Sequence, residues 1–170
     1  MIRKIPFAMA ILSMAGGDFI AILFGVNEDM FLARINAGLE RNVKIQQIVN
    51  AEEKSAKIKS ETEKNWRYYQ RYHFHATGIG AMMMAMLLFL AQLNIGAKAF
   101  YPPAYLLSVG GLLYPFVWLF AGVYGPEMGR TEAKEAFAIL GYMGGLFLAG
   151  SLWTLWLSLR TNPKHLEISG

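Results

Sequence analysis

The sequence predicts an all-α integral membrane protein with three to four transmembrane helices and a long amphipathic helix outside the bilayer. Hydrophobic residues make up 55% of the chain and charged residues 16%, against about 25% charged residues in ordinary soluble proteins. The charges are also segregated, since nine of the sixteen Lys and Arg residues lie between Arg34 and Arg71. A soluble domain distributes its charges along helix faces, so this pattern indicates contact with lipid.

The net charge of +4 does not indicate nucleic acid as a partner. Membrane proteins carry an excess of basic residues at their cytoplasmic edges, and that excess accounts for the charge. The chain has no cysteine, which excludes disulfides, thiolate metal sites and haem attached through thioethers. The partners expected from composition are the lipid bilayer and other membrane subunits.

The first apolar segment covers residues 5–26, "IPFAMAILSMAGGDFIAILFGV". It is long enough to cross a hydrocarbon core of about 30 Å. The basic start and the small residues near Ser13 also resemble a secretory signal with a cleavage site. Because the apolar run continues to Val26, we expect the segment to be retained as a transmembrane helix.

Residues 27–71 form a polar segment without proline. Acidic residues precede basic residues by four positions at three places, Glu40/Lys44, Glu53/Lys57 and Glu63/Arg67, which is the favourable order on a helix. Leu32, Ile35, Leu39 and Val43 form an apolar stripe with helical spacing. The pattern predicts one solvated helix that runs into the next span, with Gly38 as the place where it could break.

Residues 72–160 predict a bundle of three transmembrane helices, followed by a polar tail at residues 161–170 that contains His165. The predicted spans are Phe74–Leu93, Ala104–Tyr124 and Ala136–Leu159. The second span follows a Tyr-Pro-Pro sequence and contains Pro115, which removes a backbone hydrogen bond and predicts a kink.

The sidedness of these spans stays open at this stage. If all four segments cross and the N-terminus is cytoplasmic, five basic residues lie inside and eleven outside. The opposite orientation places eleven inside, as the positive-inside rule prefers. If the first segment does not cross, thirteen lie inside and three outside.

Two histidines, His73 and His75, lie where the charged segment becomes apolar. Residues two apart on a helix point about 200° away from each other, so the pair cannot easily bind one metal ion. The face of His73 also carries Thr77 and Gly80, small residues that would leave room for a flat ring such as haem. The alternative is that both imidazoles are interfacial and bond to water, headgroups or backbone.

This stretch resembles the second helix of haem–copper oxidase subunit I and its small single-subunit relatives, over about twenty residues. The matching residues are Arg71, His73, His75 and the run from Gly78 to Gly80. In that family a histidine at this point ligates a low-spin b haem, so the resemblance implies haem b as cofactor and His73 as an iron ligand. The family has further histidines on other helices, and the two later spans here have none. The second axial position would therefore be filled from a neighbouring subunit or stay open.

Asp18 is an acidic residue inside the first apolar segment. A carboxylate in hydrocarbon is unfavourable, so we expect it to face protein, water or a base, which makes it a functional candidate. The alternative is that Gly16 and Gly17 interrupt the helix and Asp18 caps the break, or that the acid lies near a membrane interface.

Small residues recur every four positions on several of the apolar segments. In lipid such faces allow the backbones of two helices to approach closely. The ridges are Gly141, Gly145 and Ala149; Gly17, Ala21 and Gly25; and the shorter pair Ala81 and Ala85. They serve either packing within the chain or contact with a partner.

Three functions follow from these observations. The first is a non-catalytic membrane subunit of a larger complex, of respiratory or electron-transfer type, since the spans hold few ionisable groups. The second is a small electron carrier that holds a b haem through His73 or His75. The third is a transporter of a metal or small solute, although beyond Asp18 no span carries a polar relay.

Overall fold

The computed structural model describes residues 4–164, so Arg3 and His165 lie outside the described residues. Within this range the chain is helical and contains no β-strand, apart from one antiparallel bridge between Leu93 and Pro163. The all-α prediction is thereby confirmed for residues 4–164. The helices are α1 (Lys4–Val26), α2 (Glu28–Arg41), α3 (Val43–Gln46), α4 (Ala51–Gln92), α5 (Ala97–Leu113), α6 (Phe116–Met128), α7 (Arg130–Ala136) and α8 (Ala138–Arg160).

Four helical segments are long and apolar enough to cross a membrane. They are α1, α4, the α5–α6 pair taken together, and α8. The N-terminal segment is thus one of four, at the upper end of the three to four expected. We refer to these four segments as the candidate spans.

The candidate spans pack side by side around α4. Helix α1 runs antiparallel to α4, since Ala10 lies beside Gly80 at one end and Phe24 beside Trp66 at the other. The Ser13 hydroxyl donates to the Ala76 carbonyl across this contact, at 2.9 Å. The α5–α6 pair returns along another face of α4, and α8 packs mainly against α5.

The polar segment is not the single helix that its sequence predicts. It divides into α2, α3 and the first half of α4, with breaks at Asn42 and at residues 47–50. The side chain of Asn42 caps α3, and its amide also donates to the Pro126 carbonyl at 3.0 Å. Helix α2 then folds back along α4 and α6. This end of the molecule therefore forms a small domain with a polar surface, made of α2, α3, the first half of α4, the end of α6 and α7. We call this domain the cap.

Gly38 does not break α2. It is buried, and a Cβ atom there would lie 2.6 Å from the Pro126 side chain, so it allows α2 to approach α6. The apolar stripe predicts that its residues are buried. Ile35 and Leu39 are buried as predicted, whereas Val43 is 67% exposed. Phe31, on the same face, is the buried residue that the pattern missed.

The prolines of the third candidate span behave in two ways. The helix begins at Ala97, so the Tyr-Pro-Pro sequence lies inside α5 and does not precede it. At Pro115 the regular helix is interrupted as predicted, because α5 ends at Leu113 and α6 begins at Phe116. Both residues of the junction keep right-handed helical dihedral angles, so the two helices form one kinked span.

Candidate functional site

The side chain of His73 lies in the contact between α4 and α1. Its Nδ1 atom is 2.9 Å from the Gly17 carbonyl oxygen and 3.5 Å from the Thr77 hydroxyl. The ring is half-buried and packs beside Phe24 and Phe74. Donation from Nδ1 to a carbonyl leaves Nε2 as the nitrogen that could bind a ligand, the arrangement common among metal-binding histidines.

Asp18 belongs to the same cluster. The Thr77 hydroxyl donates to its carboxylate over a long 3.4 Å, and the Asp18 side chain is exposed on the outer surface. Among residues 4–164 no basic side chain forms an ion pair with it. Asp18, Thr77 and His73 thus form a small polar cluster between α1 and α4.

Helix α1 runs through Gly16 and Gly17 without interruption. Asp18 therefore does not cap a helix break, contrary to the alternative that the two glycines suggested. Gly17 has a packing role, because a Cβ atom there would lie 2.8 Å from the backbone nitrogen of Thr77. The close approach that it permits is what brings its carbonyl to His73.

His75 faces a different part of the molecule. Its Nδ1 is 2.8 Å from the carbonyl oxygen of Arg71, one turn earlier on α4. Its ring lies 5.5 Å from that of Tyr114 and 5.7 Å from that of Trp118. The Arg71 guanidinium lies 5.0 Å above the Trp118 ring, so His75 and Arg71 join an aromatic cluster on α6.

The space that Thr77 and Gly80 were expected to leave beside His73 is filled by α1. A Cβ atom at Gly80 would lie 2.7 Å from the Met14 side chain, and Thr77 packs on Gly17. Within residues 4–164 no group of three or more histidine, aspartate or glutamate side chains could hold a metal ion. The face of α4 beside His73 thus has no room for a haem within the described part of this chain, so a haem held by His73 would need space provided by another chain.

The cap contains an electrostatic cluster that the sequence did not reveal. Glu61 accepts a hydrogen bond from Arg130 at 2.7 Å and also lies near Lys57 and Lys64. Burial alone raises the pKa of the Glu61 carboxyl, but the hydrogen bond and charge of Arg130, with the two lysines, outweigh burial and lower it. Sixty-nine residues separate Glu61 from Arg130, so only the fold brings them together.

The local acid–base pairs read from the sequence have different partners in the structure. Lys57 pairs with Glu61 instead of Glu53, and Lys44 pairs with Glu132 of α7. Gly129, with a φ of 103°, makes the sharp turn that directs α7 back toward α3. A glycine after a predicted span end was the available signal for this turn.

Comparison with known proteins gives no relative: no protein-family model, no curated protein and no solved structure matches the chain. The oxidase resemblance around His73 therefore stays a prediction. The function is argued below from the arrangement of residues in this chain.

The predicted glycine ridges divide into packed and open positions. Gly17 is pressed against α4, whereas Gly145 and Ala149 are exposed on the outward side of α8. Gly141 is half-buried, and a Cβ atom there would lie 3.9 Å from the Val117 side chain of α6. No atom lies within 4 Å of a Cβ placed at Gly145. The glycines that bring α5 and α8 together are others, Gly110, Gly144 and Gly150.

Proposed function

We propose that the protein is a multi-pass integral membrane protein and a non-catalytic subunit of a larger membrane complex. Large apolar side chains are exposed along the candidate spans, which suits contact with lipid or with partner helices. They include Leu12, Phe19, Leu88, Phe89, Leu148 and Leu155.

The observation that carries the subunit proposal is the open glycine ridge of α8. Lipid chains are as apolar as leucine side chains, so helices associate in a membrane through close packing at small residues. This chain already uses Gly110 and Gly150 for that purpose internally. Gly145, with the exposed Ala149 one turn later, is left for a helix of another subunit.

We also propose an orientation, from the distribution of the basic residues. With four crossings, eleven of the sixteen basic residues belong to the cap and its adjoining helix ends, and five belong to the opposite end. Basic residues accumulate on the cytoplasmic side. We therefore place the cap in the cytoplasm and the N-terminus on the other side.

The test is co-purification in mild detergent from native membranes. Gly145→Leu is expected to reduce the amount of a stoichiometric partner, because a bulky side chain separates the two backbones. Gly78→Leu is the matched control, since Gly78 is equally open but lies on α4. Both variants are expected to insert normally.

Two results would contradict the proposal. Recovery of the protein in the soluble fraction without detergent would remove the membrane assignment. A wild-type protein that is monomeric in native membranes, with no stoichiometric partner, would remove the subunit role.

Electron transfer is proposed for this complex on account of His73. Its Nδ1 bond to Gly17 fixes the ring, and Nε2 would be the atom that holds a haem iron. Any second protein ligand would come from the partner. Haem b, when bound, would supply one-electron chemistry. Reduced-minus-oxidised absorbance of the native complex tests this, with His73→Ala compared with His75→Ala.

A b-type signal that is lost only in His73→Ala supports the haem. A signal that is lost only in His75→Ala would identify His75, on the α6 side of α4, as the ligand. If the native complex has no pigment that depends on either residue, both histidines are interfacial, and the subunit has no haem.

A further inference from the structure

A cavity of about 300 Å³ lies between α1, α4 and the junction of α5 with α6. Its walls are almost entirely apolar. They are formed by Leu12, Ser13, Gly16, Tyr72, Ala76, Leu112, Leu113 and Phe116. Its volume is at the lower end of the range for small-molecule sites, which suits one ring or a short chain segment.

One polar group in this wall has no partner. Tyr72 is only 5% exposed, and its hydroxyl makes no hydrogen bond with any residue from 4 to 164. The hydroxyl lies beside Gly16, where a Cβ atom would be 3.0 Å away. Ser13, in the same wall, is already satisfied by the Ala76 carbonyl. The hydroxyl keeps some accessible surface and so faces the cavity that Tyr72 lines. A donor that faces an apolar cavity without an acceptor is unfavourable, and a ligand with an acceptor group would satisfy it.

The cavity also reaches the outer surface. Leu12 forms part of its rim and is 60% exposed, so the cavity is reached from the surface beside α1. Tyr72 lies two residues before the charge-free stretch Phe74–Leu93, close to the cap. The polar end of a bound molecule would therefore lie near the membrane surface and its apolar end in the hydrocarbon.

We propose that this cavity binds a membrane-dissolved apolar molecule whose carbonyl group accepts a hydrogen bond from Tyr72. Two sources supply that chemistry, the ring carbonyl of a quinone and the ester carbonyl of a lipid. The proposal rests on the proposed membrane location, but not on the subunit role or on haem.

The experiment is calorimetric titration of the purified full-length protein at a fixed detergent concentration. Three probes share a ten-carbon tail: decylubiquinone carries ring carbonyls, ethyl decanoate carries an ester, and decylbenzene carries no acceptor. Tyr72→Phe keeps the ring and removes only the hydroxyl, so it should fold like the wild type. Tyr101→Phe, at the far end of the bundle, is the matched control.

We expect a carbonyl probe to bind the wild type and to lose about tenfold in affinity in Tyr72→Phe, the effect of one hydrogen bond. Binding of decylbenzene should be weaker and equal in both proteins. A response to decylubiquinone alone assigns the site to quinones, and a response to ethyl decanoate alone assigns it to lipid esters.

The proposal is overturned if the three probes bind equally, if none binds, or if Tyr72→Phe binds like the wild type. These outcomes are independent of the subunit proposal. If the protein is monomeric but binds the carbonyl probes, the cavity site stands and the subunit role fails. If it forms a complex but binds no probe, the subunit role stands and the cavity site fails.

Discussion

The cap and the candidate spans hold their helices together by different means. In the cap a core of Phe31, Ile35, Leu39, Ile45 and Tyr69 is surrounded by ion pairs between separate helices. The cap also has a close approach between two helices at a glycine, Gly38. In the spans this arrangement is repeated, as at Gly17, Gly110 and Gly150, where an added Cβ atom would lie within 3 Å of the backbone of the next helix.

The difference follows from the solvent that each region is proposed to meet. Water drives apolar side chains of the cap together, and charged groups on its surface keep it soluble. Lipid gives no such driving force between helices, so the spans depend on dense packing and on hydrogen bonds between helices. The two regions should therefore respond differently to changes in size, charge and pH.

The largest effect is expected for Gly110→Leu in α5. A Cβ atom at Gly110 would lie 2.7 Å from the Met143 carbonyl oxygen of α8, so a leucine forces the two backbones apart. We expect a loss of at least about 3 kcal/mol in the free energy of unfolding, measured by thermal melting in detergent. Gly145→Leu, which meets open space, is the control and should melt like the wild type.

A smaller loss is expected for Glu61→Gln in the cap. The Glu61 side chain is 12% exposed and holds Arg130, so its removal should cost about 1–3 kcal/mol. Because the pKa of Glu61 is lowered by folding, its contribution is complete above the ordinary carboxyl pKa and is lost as the pH falls through the lower, folded value. The melting temperature of the variant should depend less on pH below about 4.3.

Glu63→Gln is the control for that experiment, because it changes the same charge at an exposed position on the same helix. If both variants melt alike between pH 7 and pH 3, the Glu61 cluster does not stabilise the cap.

A still smaller effect is expected for Ser13→Ala in α1. It removes the hydrogen bond to Ala76 between two candidate spans, and such bonds contribute about 0.6 kcal/mol on average. Denaturation in mixed detergent should detect the change, with Ser158→Ala as control because that hydroxyl bonds within its own helix. A loss above about 2 kcal/mol would mean that polar bonds, and not glycine packing, dominate the spans.

The smallest effect is expected for Arg41→Gln. Arg41 and Glu127 lie 3.0 Å apart, but their side chains are 61% and 53% exposed. Exposed pairs contribute about 0–1 kcal/mol and are screened by salt. The variant should therefore melt within a few degrees of the wild type, and 0.5 M NaCl should remove the remaining difference.

The apolar part of the fold was largely predictable from the sequence because length and charge decide it. Uncharged runs of the right length gave four helices near their observed positions, and Pro115 marked the kink. The start of α5 was misplaced because Pro102 and Pro103 were taken as a boundary, although a helix in contact with neighbouring helices can contain them.

The cap was less predictable, because its contacts join residues that are distant in the sequence. The spacing of Glu63 and Arg67 describes a helix face, but cannot show that Lys44 will meet Glu132 or that Glu61 will meet Arg130. For the candidate site, the sequence singled out His73 and Asp18 but not their link through Thr77. Tyr72 was not singled out from the sequence, since nothing local indicates that its hydroxyl faces a cavity.

Helix α4 also fixes the distance between the tip of the cap and His73. Its 42 residues form one uninterrupted helix, about 63 Å long, and about 33 Å of that length lies between Ala51 and His73. Because this helix has no hinge, the tip of the cap stands at a fixed height above the level of His73. Any soluble protein that docks at the tip would be held at that height. The distance from the tip to His73 would change by about 1.5 Å for each residue inserted into or deleted from the part of α4 between Ala51 and His73.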